Sequence, residues 1–229
     1  MTRLQVHRMF KPMVIAARMA ICLMVFSLAA CSPGQLMLNL IPGSDKSVLF
    51  KDNFSTISGG WSTQRNANSI IDFEKGGFRI WVNRPNYDYW SVPGLRFTDV
   101  SIEVTAAKLA GPDDNDFGII CRYQDQDNFY GFLISSDGYY GISKRKNGDH
   151  TIISGQEMKP SSAIHTGAAT NTIRADCIGS TLTLYVNQVK LVEVTDTDYA
   201  MGDVGLLAGS FAQPGVDILF NDFVVRKPG

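Results

Sequence analysis

Asp99-Val100-Ser101-Ile102-Glu103-Val104-Thr105-Ala106-Ala107-Lys108-Leu109 decides the fold. Val100, Ile102, Val104 and Ala106 fall on one face of an extended chain, and Ser101, Glu103 and Thr105 on the other. A period of two is that of a strand with one face in a core and one in water; a helix would repeat near 3.6. The same texture extends in both directions. Val48-Leu49-Phe50 opens it, and Ser69–Phe73 and Phe78–Val82 flank Glu74-Lys75-Gly76-Gly77 as a hairpin. Tyr87–Val92 is aromatic and stops at Pro93-Gly94. Downstream, Phe117–Gln124, Phe129–Ser135, Tyr139–Arg145 and His150–Ser154 are separated by polar turns. Thr172–Ile178, Thr181–Val186 and Val189–Thr195 form two further hairpins, and Val204–Ser210 and Val216–Arg226 close the pattern. Met158 to Ala169 reads as a loop with room for one helical turn. About a dozen strands without an amphipathic helix predict an all-β fold, a sandwich of two packed antiparallel sheets.

The N-terminus is different in kind. Arg3, Arg8, Lys11 and Arg18 are the only charged side chains of residues 1–30, and Met19–Leu28 is an uncharged apolar run. Ten residues at helical rise cover about half of a ~30 Å hydrocarbon core, the length of a signal-peptide core. Leu28-Ala29-Ala30-Cys31 resembles the lipobox of bacterial lipoprotein precursors. The resemblance implies a signal peptide over 1–30, cleavage before Cys31 and acylation (palmitate among the chains) of its thiol, with an ordinary secretory signal or a retained anchor as alternatives. Residues 31–47 then form a lipidated tether and 48–227 the domain. Ser32, rather than Asp, leaves either the cell membrane or an outer membrane open, with the domain on the non-cytoplasmic side.

The 229 residues are 45% hydrophobic and 19% charged, enough apolar content for a packed core. Without residues 1–30, 17 basic side chains face 22 acidic ones, a net of −5. That balance excludes the basic footprint of a nucleic-acid binder. It also gives no attraction to anionic lipid, so attachment needs the acyl chains. Of four cysteines, Cys22 lies in the signal and Cys31 is assigned to lipid, leaving Cys121 and Cys177. In an exported chain these pair as a disulfide worth about 3–4 kcal/mol by loop-closure entropy, or stand as two separate buried thiols.

Three groups of residues resemble the concanavalin A-like, laminin G-like jelly rolls, over roughly Val48 to Arg226. They are Phe50-Lys51-Asp52-Asn53-Phe54 with Gly60-Trp61; Phe117–Tyr123 with Asp127–Ile134 and Asp137–Tyr140; and Asn171–Arg174 with Leu182–Asn187 and Phe220-Asn221-Asp222-Phe223. Bacterial members group with family 16 glycoside-hydrolase-like and 3-keto-disaccharide hydrolase domains. Family 16 glucanases carry a Glu-x-Asp-x-(x)-Glu strand whose alternation presents carboxylates on one face. Here Glu103 stands alone between Ser101 and Thr105, so the glucanase mechanism is not supported and no catalytic residue is assigned.

Candidate binding residues come from the aromatic and cationic sets. Tyr87, Tyr89 and Trp90, with Trp61 and Trp81, suit stacking on sugar rings, although each aromatic also suits a core. Alternation puts Tyr87 and Tyr89 on one face and Asp88 and Trp90 on the other. Arg122 and Tyr130 read as cross-strand partners with Lys144 beyond, a row able to hold an anionic or hydroxylated ligand. That register also places Ile120, Phe132 and Ile142 beside Arg122, as in a sandwich end. No cofactor is required; for calcium the oxygen-rich positions are Asp113, Asp114 and Asp116, and Asp52 and Asn53 with Asn221 and Asp222, each equally readable as turn chemistry. His150 and His165 are assigned to loops. Three functions remain: an envelope module binding a ligand, foremost a glycan; a glycan-processing hydrolase of the 3-keto-disaccharide type; and a structural or interaction module with no small ligand, its partner an envelope protein.

Overall fold

The computed structural model describes residues 45–229. The segment 1–30 expected to be a signal peptide, Cys31, and all but the end of the expected tether lie outside the described residues. The described chain is all strand and turn. In order the strands are β1 Val48–Asp52, β2 Gln64–Arg65, β3 Ser69–Glu74, β4 Gly77–Val82, β5 Tyr87–Ser91, β6 Val100–Ala110, β7 Asn115–Asp125 and β8 Asn128–Ile134. They continue as β9 Tyr139–Lys146, β10 Asp149–Ile152, β11 Lys159–Pro160, β12 Thr170–Ile178, β13 Thr181–Val186, β14 Val189–Thr195, β15 Asp203–Ser210 and β16 Val216–Arg226. The two-residue strands β2 and β11 are too short to leave a periodic signal. Met158–Ala169 holds β11 and turns, with no helical turn.

Two antiparallel sheets form the sandwich. One has nine strands in the order β14-β13-β12-β6-β16-β4-β3-β2, with β1 also on β16; the other has seven, β10-β9-β8-β7-β15-β5, with β11 on β9. β16 is long enough to pair β4 with its first half and β1 with its second, Asp52 opposite Phe223. The change of partner falls at a bulge where Asp222 has φ 54° and Asn221 donates to the Gly76 carbonyl.

The alternation in β6 is realised: Val100, Ile102, Val104 and Ala106 are buried. They meet Phe117, Ile119, Phe132 and Ile142 of the facing sheet in the main core. Phe54, Trp61, Phe78 and Phe223 fill one end with ring centroids 5.1–5.4 Å apart, and the indole N–H of Trp61 donates to Asp52 Oδ2 at 3.1 Å. A buried Trp N–H usually finds such a partner, which removes the cost of desolvating it. A disulfide joins Cys121 of β7 to Cys177 of β12, tying the two sheets together through the core.

The register between β7 and β8 departs from expectation. Tyr130 faces Cys121, not Arg122, because β7 bulges between Cys121 and Asp125, with Arg122 at φ 55°. Ile120 consequently lies on the outer face of the seven-stranded sheet, away from Phe132 and Ile142. Lys144 does pair with Tyr130.

Candidate functional site

The outer face of the seven-stranded sheet carries a second apolar cluster of Ile120, Phe129, Leu133 and Leu207, with Trp90, Tyr123 and Met158 against it. This face is concave. Trp90 of β5 lies 5.4 Å from the Phe129 ring of β8, and the Arg145 guanidinium of β9 sits 5.4 Å from the Trp90 ring. On a flat sheet β5 and β9 would be four spacings, about 19 Å, apart. The sheet must therefore curl for these side chains to meet.

One cross-strand row sets the chemistry. Asp88 of β5 pairs with Gly209 of β15, which pairs with Asp116 of β7. A Cβ on Gly209 would stand 2.0 Å from Asp116 Oδ1 and 2.2 Å from Asp88 Oδ1, so both oxygens occupy the space of one methyl group. Any larger residue at 209 would push both carboxyls aside. Asp116 is 4% exposed, and burial, followed by the Asp88 charge, raises its pKa well above the ordinary 3.8. Burial also raises Asp88, against the lowering influence of His150 and Arg145. Asp116 Oδ1 has no hydrogen-bond partner among the described residues.

Asp116 lines a cleft of about 500 Å³. Leu133, Ile152 and Met158 supply its apolar surface, and Tyr139 and Phe211, 40% and 39% exposed, supply aromatic rings. Asp114, Asp137, Glu157 and His150 complete its polar lining. His150 lies on β10, not in a loop, paired with Arg145. Desolvation beside the sheet lowers its pKa from the ordinary 6.5; Asp88 opposes that shift and Arg145 reinforces it.

The raised Asp116 value gives a signed prediction. Folded Asp116 keeps its proton above the pH at which the unfolded aspartate releases it, so the folded state binds more protons in that window. Stability should fall as pH rises from about 4 through the folded value, by about 1.4 kcal/mol per pH unit. Asp116→Asn is expected to match the wild type in urea unfolding below pH ~4 and exceed it at pH ~8. Equal midpoints at both pH values would contradict the burial argument.

The residues singled out from sequence are distributed differently. Trp90 lies half-buried on the concave face beside Asp88, whereas Tyr89 packs against the main core and Tyr87, 4.7 Å from it, carries Arg84 over its ring. Trp61 is core. Trp81 lies half-buried on β4. Arg122 and Tyr130 are not ligand groups. Arg122 is 2% exposed and donates to the carbonyls of Tyr199 (2.7 Å) and Gly179 (2.6 Å). The Tyr130 hydroxyl donates to Asp196 and accepts from the Tyr199 N–H, with Lys144 held by Asp196 and Asp198. The row closes the end of the sandwich, with the two terminal guanidinium nitrogens, the hydroxyl and the ammonium all engaged within the domain.

Nor do the calcium positions converge. Asp113 is paired with Lys108, Asp114 lines the cleft, and Asp116 points at Asp88. Asp52, Asn53 and Asp222 do line a second cleft of about 380 Å³, but Asp52 is occupied by Trp61 and the Phe54 N–H, and Asn221 turns to Gly76. Among the described residues no three His, Cys, Asp or Glu side chains are grouped to hold a metal ion. Sequence reasoning missed Tyr139, Phe211, Glu157 and the Asp88–Asp116 pairing. The alternation that put Asp88 beside Trp90 was the one available signal.

No family model matches the chain, and no curated protein matches it in sequence. Solved structures do share its shape. The carbohydrate binding module CBM66 from Bacillus subtilis superposes with a TM-score of 0.59 at 15% identity, over 73% of this chain and 96% of that one. A Bacillus licheniformis beta-glucanase gives 0.56 at 12%, over 78% and 98%, and a Bacillus subtilis protein of galectin-like fold gives 0.58 at 9%, over 79% and 96%. At such identities the likeness establishes the fold alone: an all-β, two-sheet jelly-roll sandwich of concanavalin A-like type.

Proposed function

We propose that this domain binds carbohydrate in the cleft on the concave face of its seven-stranded sheet. The observation that carries the reading is the combination there of two exposed aromatic rings, an apolar floor and a buried carboxyl oxygen without a partner. Sugar C–H faces stack on rings such as Tyr139 and Phe211, and hydroxyls donate to carboxylates. Small-ligand sites join a largely apolar wall to a few placed polar groups in this way. Similarity in shape to a carbohydrate binding module and a beta-glucanase agrees with it.

Hydrolysis fits less well. Retaining glycosidases hold their two carboxyl groups about 5–5.5 Å apart with the sugar between them. Asp88 and Asp116 put their oxygens in the volume of a single methyl, which leaves no room for an anomeric carbon. The test is a glycan array with the full-length protein. The wild type is expected to retain glycans, and a Tyr139→Ala/Phe211→Ala chain to lose roughly tenfold or more in affinity with an unchanged circular dichroism spectrum. Undiminished retention by the double variant would place the site elsewhere.

The reading includes an exported protein tethered by acylated Cys31, because a domain of net acidic charge has no electrostatic hold on anionic lipid. Cys31→Ser is expected to move the protein from the membrane to the soluble fraction and to abolish incorporation of labelled palmitate. A variant that stays membrane-bound would contradict the anchor.

A further inference from the structure

Resting on the carbohydrate reading, the charge lining the cleft narrows the class of sugar. Asp114, Asp116, Asp137 and Glu157 line it, and Asp88 stands behind Asp116 across Gly209. None of these five forms a salt bridge among the described residues, although other aspartates of the domain are paired with Arg or Lys. The lining contains no Lys or Arg.

An acidic surface alone would be ordinary. What makes this one a site is Asp116, 96% buried, with Oδ1 left without a donor at the wall of an apolar cleft. A buried carboxyl group left unsatisfied is destabilising, and a charged donor is the partner that offsets most. Tyr139 and Phe211 add ring faces, which also attract cations.

We infer that the cleft selects a cationic amino sugar, a glycan whose amine is free, over its N-acetylated counterpart and over uronic-acid glycans. An ammonium group entering beside Asp116 gains a charge-assisted hydrogen bond and the field of the neighbouring carboxylates. An acetamide brings no charge, and a uronate brings the wrong one.

The probes are chitosan tetraose, tetra-N-acetylchitotetraose and tetragalacturonate, titrated calorimetrically into the full-length protein in detergent at moderate salt. The two chitin-derived probes share a backbone, so they differ only in acetylation. The free amine form is expected to bind on the order of tenfold tighter than the acetylated one, and the uronate weakest. Asp116→Asn and Glu157→Gln should each erode that preference. Glu193→Gln, which removes an acid on β14 of the other sheet and outside the cleft lining, should leave it intact and so separates site binding from general attraction. Equal affinity for the acetylated probe, tighter binding of the uronate, or a preference that survives both cleft substitutions would overturn the inference and leave carbohydrate binding standing. Failure of all three probes while other glycans are retained on the array overturns it likewise, whereas an array blank for every glycan removes both.

Discussion

A chain with Cys121 and Cys177 both replaced by alanine is expected to lose about 4 kcal/mol of stability. The reason is topological. The two cysteines are 56 residues apart in sequence, and their bond joins the seven-stranded sheet to the nine-stranded one. Without it the unfolded ensemble regains the freedom of a long loop, and the core loses a fixed link between its halves. For a domain of this size that corresponds to a melting point lower by roughly 8–16 °C. The bond lies inside the core, with both cysteines fully buried, so mild reductant on the folded protein should leave the melt unchanged until unfolding exposes it. Oxidised wild type and double variant, melted side by side, provide the check. Superimposable transitions would mean that the bond adds nothing to the sandwich.

Arg122→Met is the second large effect, a loss of about 3–4 kcal/mol. Methionine keeps much of the side-chain volume but removes the donors that reach the carbonyls of Tyr199 and Gly179. These carbonyls belong to the connection between β14 and β15 and the turn between β12 and β13, both remote in sequence from Arg122. The guanidinium thus staples three segments at one end of the sandwich. Its backbone lies at φ 55°, a conformation that costs a non-glycine residue free energy and persists only where the surroundings enforce it. Urea unfolding of Arg122→Met against wild type measures the loss. A change below about 1 kcal/mol would show that water satisfies those carbonyls as well as arginine does.

Local chemistry was readable in advance, and long-range placement was not. Alternation in Val100–Ala106 marked the buried face of β6 because period two is a property of the strand itself. Lys75-Gly76, Asn147-Gly148 and Asn187-Gln188 all adopt positive φ in hairpin turns, a conformation that Gly76, Asn147, Gly148 and Asn187 favour. The bulge at Arg122 left no such mark, since what stabilises it are carbonyls brought near by folding. The Asp88–Asp116 pair is a sharper case. The two meet only because β15 inserts between β5 and β7 and places Gly209 between their side chains. Strand order across a jelly roll is decided by packing of whole strands, so no local pattern around Asp88 could announce its partner. Tyr139 and Phe211 were passed over for the same reason. Each sits at a strand end, and only curvature of the sheet brings both to one cleft.

The most direct test of a ligand site on the concave face is amide hydrogen exchange of the full-length protein, with and without a mixture of neutral, amino and acidic oligosaccharides. Slower exchange is predicted in β9, β10 and the 156–158 segment and at Phe211, with Lys51–Ser58 and Asp222–Val224 unaffected. Protection centred on the second cleft, or no protection from any sugar, would contradict the assignment.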